Sequence, residues 1–491
     1  MRLQNILFPP DGCSREELYI RTSAVPRSGE EPCIRTSAVP CGGDPSLIRK
    51  GVTVRTDTYM NAFDIGAWKK YTDITDLWLA WKLRGSGILK VYWKKEGMEE
   101  ACLAEMSAGS SRDVPCEGRY LLEGFGELEE GLLYIVFDAG TDSLLEAWFE
   151  TAAPARREIK ISLVICTYRR RKQLERLIQE IQSSGEEEDD WLHTLVIDNA
   201  SEMDEQMYRG NITVYHNANT GGSGGFTRGM EETIKNLRAF PATHVLLMDD
   251  DVVLQKESLY RLRALLAYMR PGYEGEAVAG RMFRLDERHV QYTAAEIWNR
   301  GDLRHIGWNR DMTLPENVMH MNDNRNAEYG GWWFCCYPTG FVRENMPLPF
   351  FLHCDDVEYG LRHGGTPIIL NGIQVWHETY EYRQSPVMAY YDCRNSLFVN
   401  AMYEEPCVAA AQVRQCMDRI REAHARQEYL LEYFLLRACG DYLKGRNWFM
   451  RKDDRAIHES LIKRKKGNRY INYFRRKILE KIIEAHGNNR I

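Results

Sequence analysis

Two short apolar runs organise the middle of the chain, ISLVIC at 161–166 and VLLM at 245–248. Each is rich in β-branched or aliphatic residues, carries no charge, and stops abruptly at polar residues. This is the pattern of strands buried on both faces of a parallel sheet. The first gives way to Thr167, Tyr168, Arg169 and Arg170, the second to Asp249, Asp250 and Asp251. Between them, RRKQLERLIQEIQ has the apolar spacing of an amphipathic helix, and an acidic run at 186–190 reads as a solvated loop. HTLVIDNA and NITVYHN read as two further strands. Strand, helix, strand predicts an α/β domain with a mostly parallel sheet, in which ligands collect beyond the carboxyl ends of the strands.

The pattern changes on either side. From Val52 to about residue 150 short strands dominate (VTVRTDTYM, DLWLAWKL, GILKVYWKK, GLLYIVFDAG), separated by turn residues with no long helical period, which predicts a β-sandwich. Its aromatics, Tyr59, Phe63, Trp68, Trp78, Trp81, Tyr92 and Trp93, belong to the sandwich core or line a carbohydrate surface. Before it, IRTSAVP occurs at 20–26 and again at 34–40, amid Pro, Gly and Ser, and reads as an extended surface segment. Towards the end, CVAAAQVRQCMDRIREAHARQEYLLEYFLLRACGDYLKG has apolar positions three and four apart and predicts two long helices. The predicted organisation is an extended segment over 1–50, a β-sandwich over 51–155, an α/β domain over 156–400 and a helical, basic region over 401–491.

Composition narrows the function classes. At 491 residues the chain is too long for one core. A net charge of -7 carries no global nucleic-acid footprint, and no apolar stretch is long enough to span a bilayer. Thirteen cysteines without framework spacing fit a reducing, cytoplasmic setting. Residues 461–481 hold nine Lys/Arg against one Glu, with Ile, Tyr, Phe and Leu interleaved. Such a segment either lies on an anionic membrane surface or is a solvated helix face.

Candidate chemistry gathers at the predicted strand ends. GxGxxG is absent from the first crossover and GxxxxGK[ST] from the chain, which argues against dinucleotide and P-loop chemistry. Asp198 ends a strand, where its carboxylate can accept from a base or ribose. In NANTGGSGGFTRG, four glycines within five residues form a loop whose backbone can approach a phosphorylated ligand, with Arg228 reaching from the following helix. Carboxylates bind hard cations such as Mg²⁺ and Mn²⁺, and in a strand Asp249 and Asp251 project to one side and Asp250 to the other. Downstream, Trp332 and Trp333 open an aromatic strand-like run, and their faces suit sugar rings. Asp355 and Asp356 stand at a helix opening, where a carboxylate suits the role of general base toward a hydroxyl. His377, at the end of a short strand, can complete a metal site.

In this order, ISLVICTYRR, VIDNA, GGSGGFTRG, MDDDV, WWF, HCDDVEYGLR and VWHE resemble the inverting, metal-dependent glycosyltransferases of the GT-A fold, family 2. The likeness extends to the bacterial galactofuranosyltransferases that build cell-wall galactan from UDP-galactofuranose, and covers roughly residues 50–480. It implies a β-sandwich before a GT-A domain and helices after it. It implies Mn²⁺ or Mg²⁺ on Asp249, Asp251 and His377, and Asp356 as base. Thr167, Arg169, Asp198, Arg228 and Asp250 are implied around the nucleotide, and Trp332, Trp333 and Asp355 near the acceptor. The implied partners are a nucleotide sugar and a glycan or lipid-linked acceptor, with oligomeric state left open. A transferase of another sugar, such as rhamnose, and a non-catalytic sugar-binding protein are the alternatives.

Overall fold

The computed structural model describes residues 1–10, 13, 15–24, 47–110, 114–182, 190–208, 210–382 and 385–487. The second copy of the duplicated heptapeptide and most of the acidic run at 186–190 lie outside these residues. The central sheet runs Ile212–His216, Leu192–Asp198, Ile161–Thr167, His244–Asp249, Cys335–Pro338, Val278–Ala279. The first four strands are parallel, and Cys335–Pro338 runs antiparallel to both of its neighbours. The α/β class with a mostly parallel sheet expected from the sequence is the class found. Register decides where the chemistry sits: Thr167 pairs with Asp198 and Cys166 with Asp249, so three strands deliver their polar ends to one edge. The aromatic run at 328–341 is strand only over Cys335–Pro338, and both tryptophans precede it in a turn.

The sandwich precedes this domain, but it starts earlier than the sequence pattern suggests. Arg2–Asn5 pairs with Ser143–Glu150 in one sheet, and Arg21–Ala24 pairs with Val52–Arg55 in the other. The described part of residues 1–50 is therefore sandwich rather than an extended surface segment. Edge strands of four residues give too short a run for alternation to register. Tyr59, Phe63, Trp68 and Trp81 are buried, and Phe63 stacks on Trp68 at 5.3 Å, so these aromatics fill the core. A helix, Ile65–Tyr71, breaks the all-β pattern, capped by the Asp64 carboxylate accepting from the Ala67 amide.

One hydrophobic core runs through both units. A buried polar cluster also crosses their join. Arg261, fully buried, donates to Glu257 at 2.8 Å, to the Asn371 carbonyl at 3.0 Å and to the Met60 carbonyl at 2.6 Å. Glu257 in turn accepts from the Asn5 backbone and side chain. A buried ion pair saturated with hydrogen bonds fixes the geometry of a join more than it stabilises it.

The helical region begins at Pro386, not at 401. Helix Pro386–Tyr403 shares a separate core with Pro406–Ala425 and Tyr429–Tyr442. Arg469–Gly487 closes the bundle through buried Asn472 and Leu479. Its other face exposes Tyr470, Phe474, Ile478 and Ile482, four residues apart along one stripe. No helix among the described residues is long and apolar enough to cross a membrane.

Candidate active site

A cavity of about 810 Å³ lies at the carboxyl edge of the central sheet. One wall is made by strand ends. After His244–Asp249 the chain turns through the acidic triplet into Val253–Leu254, which pairs with Gln374–His377, Val253 opposite Trp376. That pairing brings the aspartates to the histidine. His377 Nε2 lies 3.0 Å from Asp251 Oδ1 and 3.6 Å from Asp249 Oδ2. One ligand atom from each of the three lies within 4.8 Å of the others. Two carboxylates and an imidazole at such separations are a donor set suited to Mn²⁺ or Mg²⁺.

Asp250 turns the other way. Its Oδ2 accepts from the Thr167 hydroxyl at 2.7 Å, and its Oδ1 from Arg170 at 3.1 Å. Burial pushes its carboxyl up to about 6 while Arg170 opposes the shift. Arg170 also donates to Asp251 at 2.8 Å, so one guanidinium bridges two of the three aspartates. This compensates the like charges of the triplet. Thr167 and Asp250 thus brace the candidate cation site, and of the two Asp250 lines the cavity.

Three residues expected around the nucleotide sit elsewhere. Arg169 adopts a left-handed backbone (φ 58°) that swings its exposed side chain to Glu202, and its neighbour Arg170 enters the cavity instead. Asp198 is buried and spends both oxygens on the amides of Ala200, Glu202 and Met203, while Asn199 lines the cavity. Arg228 pairs with Glu232 at 2.8 Å beside the Tyr215 ring, away from the cavity lining. The single sequence places arginine and acid in the right stretch. Which of two adjacent residues faces in depends on turn geometry that strand periodicity does not encode.

The glycine-rich stretch is the first turn of a helix, Gly221–Lys235, rather than a loop. Its glycines serve close packing. A Cβ on Gly225 would meet Cys166 Sγ at 2.1 Å, and one on Gly229 would meet Val164 Cγ1 at 2.1 Å. Gly221 (φ +73°) and Gly222 still present backbone to the cavity, so the approach of a ligand to this turn is retained.

The opposite wall carries the aspartate pair. Asp355 and Asp356 begin helix Asp355–His363, whose cap, Cys354, is left-handed at φ 65°. Burial pushes both carboxyls above the usual carboxylate range, and the mutual repulsion of the pair adds to this for Asp355. The amide of Val357 donates to Asp356 Oδ1 at 2.8 Å and works against the rise. Phe351 and His353 are also left-handed (φ 73° and 63°), so the approach to the pair is strained. Each such residue costs about 1–2 kcal/mol.

Trp332 and Trp333 are buried against the cavity. Trp332 stands edge-on to Phe226 and Tyr359, and Trp333 Nε1 donates to the Gly280 carbonyl at 2.9 Å. Residues with no sequence signal complete this wall. The hairpin of Glu296–Asn299 and Asp302–His305 contributes Trp298, Leu303 and His305, with His305 Nδ1 held by buried Glu296 at 2.8 Å. His353 and Asp392 form a second pair in the lining.

Residues 157–385 match the family described as glycosyltransferase like family 2. The matched segment is a little under half of the chain and lies within a wider similarity. Over 427 residues the chain is 26% identical to galactofuranosyltransferase GlfT2 of Mycobacterium tuberculosis, covering 79% of this chain and 64% of that protein. Against GlfT2 of Mycolicibacterium smegmatis it is 23% identical over 379 residues, covering 70% and 57%. The chain thus spans less than two thirds of the length of these relatives. The expected likeness to galactofuranosyltransferases is met in sequence. Among solved structures, a mannosyltransferase of Pyrobaculum calidifontis, in complex with GDP-Man and Mn²⁺, aligns at 12% identity. It covers 59% of this chain and 89% of that one, with a TM-score of 0.34. GalNAc-T7 with UDP, GalNAc and Mn²⁺ aligns at 11% identity over 52% of this chain and 49% of that one, TM-score 0.38.

Proposed function

We propose that the protein is an inverting, metal-dependent glycosyltransferase that moves galactofuranose from UDP-galactofuranose to a hydroxyl of a cell-surface glycan or lipid-linked acceptor. The observation that carries the reading is one cavity lined both by Asp249 and His377, which Asp251 joins in a candidate cation triad, and by the aspartate pair. Asp249, Asp251 and His377 would hold Mn²⁺ or Mg²⁺, which when bound supplies charge neutralisation for a nucleotide diphosphate. Arg170 keeps Asp250 and Asp251 oriented, and Asn199 with the backbone of Gly221 and Gly222 offers polar contacts for the nucleotide.

Asp356 acts as the base. It takes the proton of the acceptor hydroxyl as that oxygen bonds to the anomeric carbon and the bond to the diphosphate breaks, so configuration inverts. A raised carboxyl is a better proton acceptor than an ordinary one, and burial supplies the rise. Asp355 and the tryptophan faces hold the acceptor. Galactofuranose is favoured by the similarity to two proteins named for its transfer.

The deciding measurement is a panel of nucleotide sugars with Mn²⁺, scored by nucleotide release and by product mass on a short galactan acceptor. UDP-galactofuranose should give the highest turnover. Preference for dTDP-rhamnose or UDP-galactopyranose would overturn the sugar assignment, and donor binding without turnover on any acceptor would overturn the enzyme reading.

The carboxy-terminal helix supports a peripheral position on the inner membrane face. The Tyr470–Ile482 stripe is apolar and exposed, and is flanked by Arg469, Arg475, Lys477 and Lys481. Exchanging Phe474 and Ile478 for Ser should reduce sedimentation with anionic vesicles, and equal pelleting would remove the proposal.

A further inference from the structure

The segment that delivers the aspartate pair has almost no regular structure of its own, yet its carbonyls are taken in succession by donors from outside it. Leu348 O accepts from the Ser223 hydroxyl at 2.7 Å and Phe351 O from the Ser223 amide at 3.4 Å. Pro349 O accepts from the Lys452 ammonium, and Phe350 O from Arg394 at 2.8 Å. Leu352 O and His353 O both accept from one amide, Asn395 Nδ2, at 2.6 and 2.9 Å. The orientation of that amide is dictated by its surroundings, because its oxygen accepts from Arg394 Nε at 2.8 Å. Asn395, Arg394 and Ser223 are all fully buried. The same helix also supplies Asp392, which holds the His353 ring.

We propose that Asn395, with Arg394 and Lys452, forms a clamp by which the carboxy-terminal helices hold residues 348–353 in the left-handed path that aims Asp355 and Asp356 into the cavity. Left-handed non-glycine residues persist only where their surroundings over-determine them, and three of the four residues before Asp355 have positive φ. The clamp lies beyond residue 385, where the family match ends. The helical region is then a positioning element of the active site, whatever it does at a membrane. As a statement about catalysis this rests on Asp356 being the base. As a statement about the segment it does not.

The test compares Asn395→Ala and Asn395→Asp with the unaltered full chain. Both remove the donors to Leu352 O and His353 O, and the second keeps the size of the side chain. Amide hydrogen exchange should accelerate at 350–356 and stay unchanged in the central sheet. Mn²⁺-dependent UDP binding should be retained. Turnover should fall about 100-fold with donor KM within about twofold, since a misplacement of about 1 Å costs that much. Should the Asn395 variants fail to fold, Ser223→Ala removes one donor from the opposite side and should cost about tenfold. Unchanged exchange at 350–356 in a folded variant overturns the clamp, as does acceleration spread evenly over the chain, or loss of UDP binding in parallel with turnover. If the unaltered chain transfers no sugar, the functional reading fails while the exchange pattern still decides the clamp.

Discussion

The wall of the cavity that carries Asp249, Asp251 and His377 is assembled from the ends of strands, and the wall that carries Asp355 and Asp356 is assembled from a loop, a hairpin and helices. In the first, neighbours in the sheet are locked by register, Cys166 beside Asp249 and Val253 beside Trp376, so short segments suffice to place the donors. In the second, a strained segment is held by side chains 42 to 125 residues away along the chain. The contrast teaches that the two halves of one site are held in place by different forces. Backbone pairing positions the candidate cation ligands, whereas buried side-chain hydrogen bonds hold the segment that leads into the aspartate pair.

The strand-built wall should fail most completely when its donors go. Asp251→Ala is expected to lower transfer on the order of 10³-fold or more and to abolish Mn²⁺-dependent nucleotide binding, with the circular dichroism spectrum unchanged. Retention of metal-dependent binding in the folded variant would break the assignment of this wall. On the other wall, Asp356→Asn should lose roughly 10²–10⁴-fold in turnover while donor affinity stays put, since an amide cannot take the proton. A variant that transfers at near the original rate would remove the base.

Arg170 and Arg169 sharpen the picture within the strand-built wall. Arg170→Ala leaves buried Asp250 without its charge partner and should weaken Mn²⁺ binding about 10- to 100-fold by calorimetry. Arg169 is paired with Glu202 at the surface, so Arg169→Ala should change metal and donor binding by less than about twofold. A reversed order for the two would show that the arginine entering the cavity has been misidentified.

A further expectation concerns pH and the foot of the same wall. His244 opens the strand that ends at Asp249, and burial pushes its imidazole down from 6.5 to about 3. Between those values the unfolded chain binds the proton and the folded chain does not. Stability from this group is therefore complete above pH 6.5 and is lost as pH falls towards 3. At pH 5 the loss is about 2 kcal/mol, at 1.36 kcal/mol per unit. His244→Gln, which cannot charge, should flatten the fall in urea midpoint between pH 7 and 5. An unchanged slope would mean that another group sets the acid limit.

Much of this architecture is written in local pattern. Strands buried on both faces read as uninterrupted apolar runs, and the polar residues that end them must face the sheet edge, so the triplet at 249–251 and the histidine at 377 were legible as a group. The amphipathic period of Arg171–Gln182 and of the late helices was legible for the same reason. Turn geometry was not. A positive φ at Arg169 exchanged the roles of two adjacent arginines, and an amide-rich turn absorbed Asp198 and left Asn199 facing inward. The glycine run looked like a loop because composition cannot distinguish flexibility from close packing, and only the nearness of Cys166 and Val164 reveals which need the glycines meet. The sequence by itself determined what each strand end offers, since alternation and burial are properties of a few consecutive residues. The tertiary structure alone decided what holds the aspartate pair, because Asn395, Arg394, Lys452 and Ser223 reach the same segment from distant parts of the chain and no local period records that meeting.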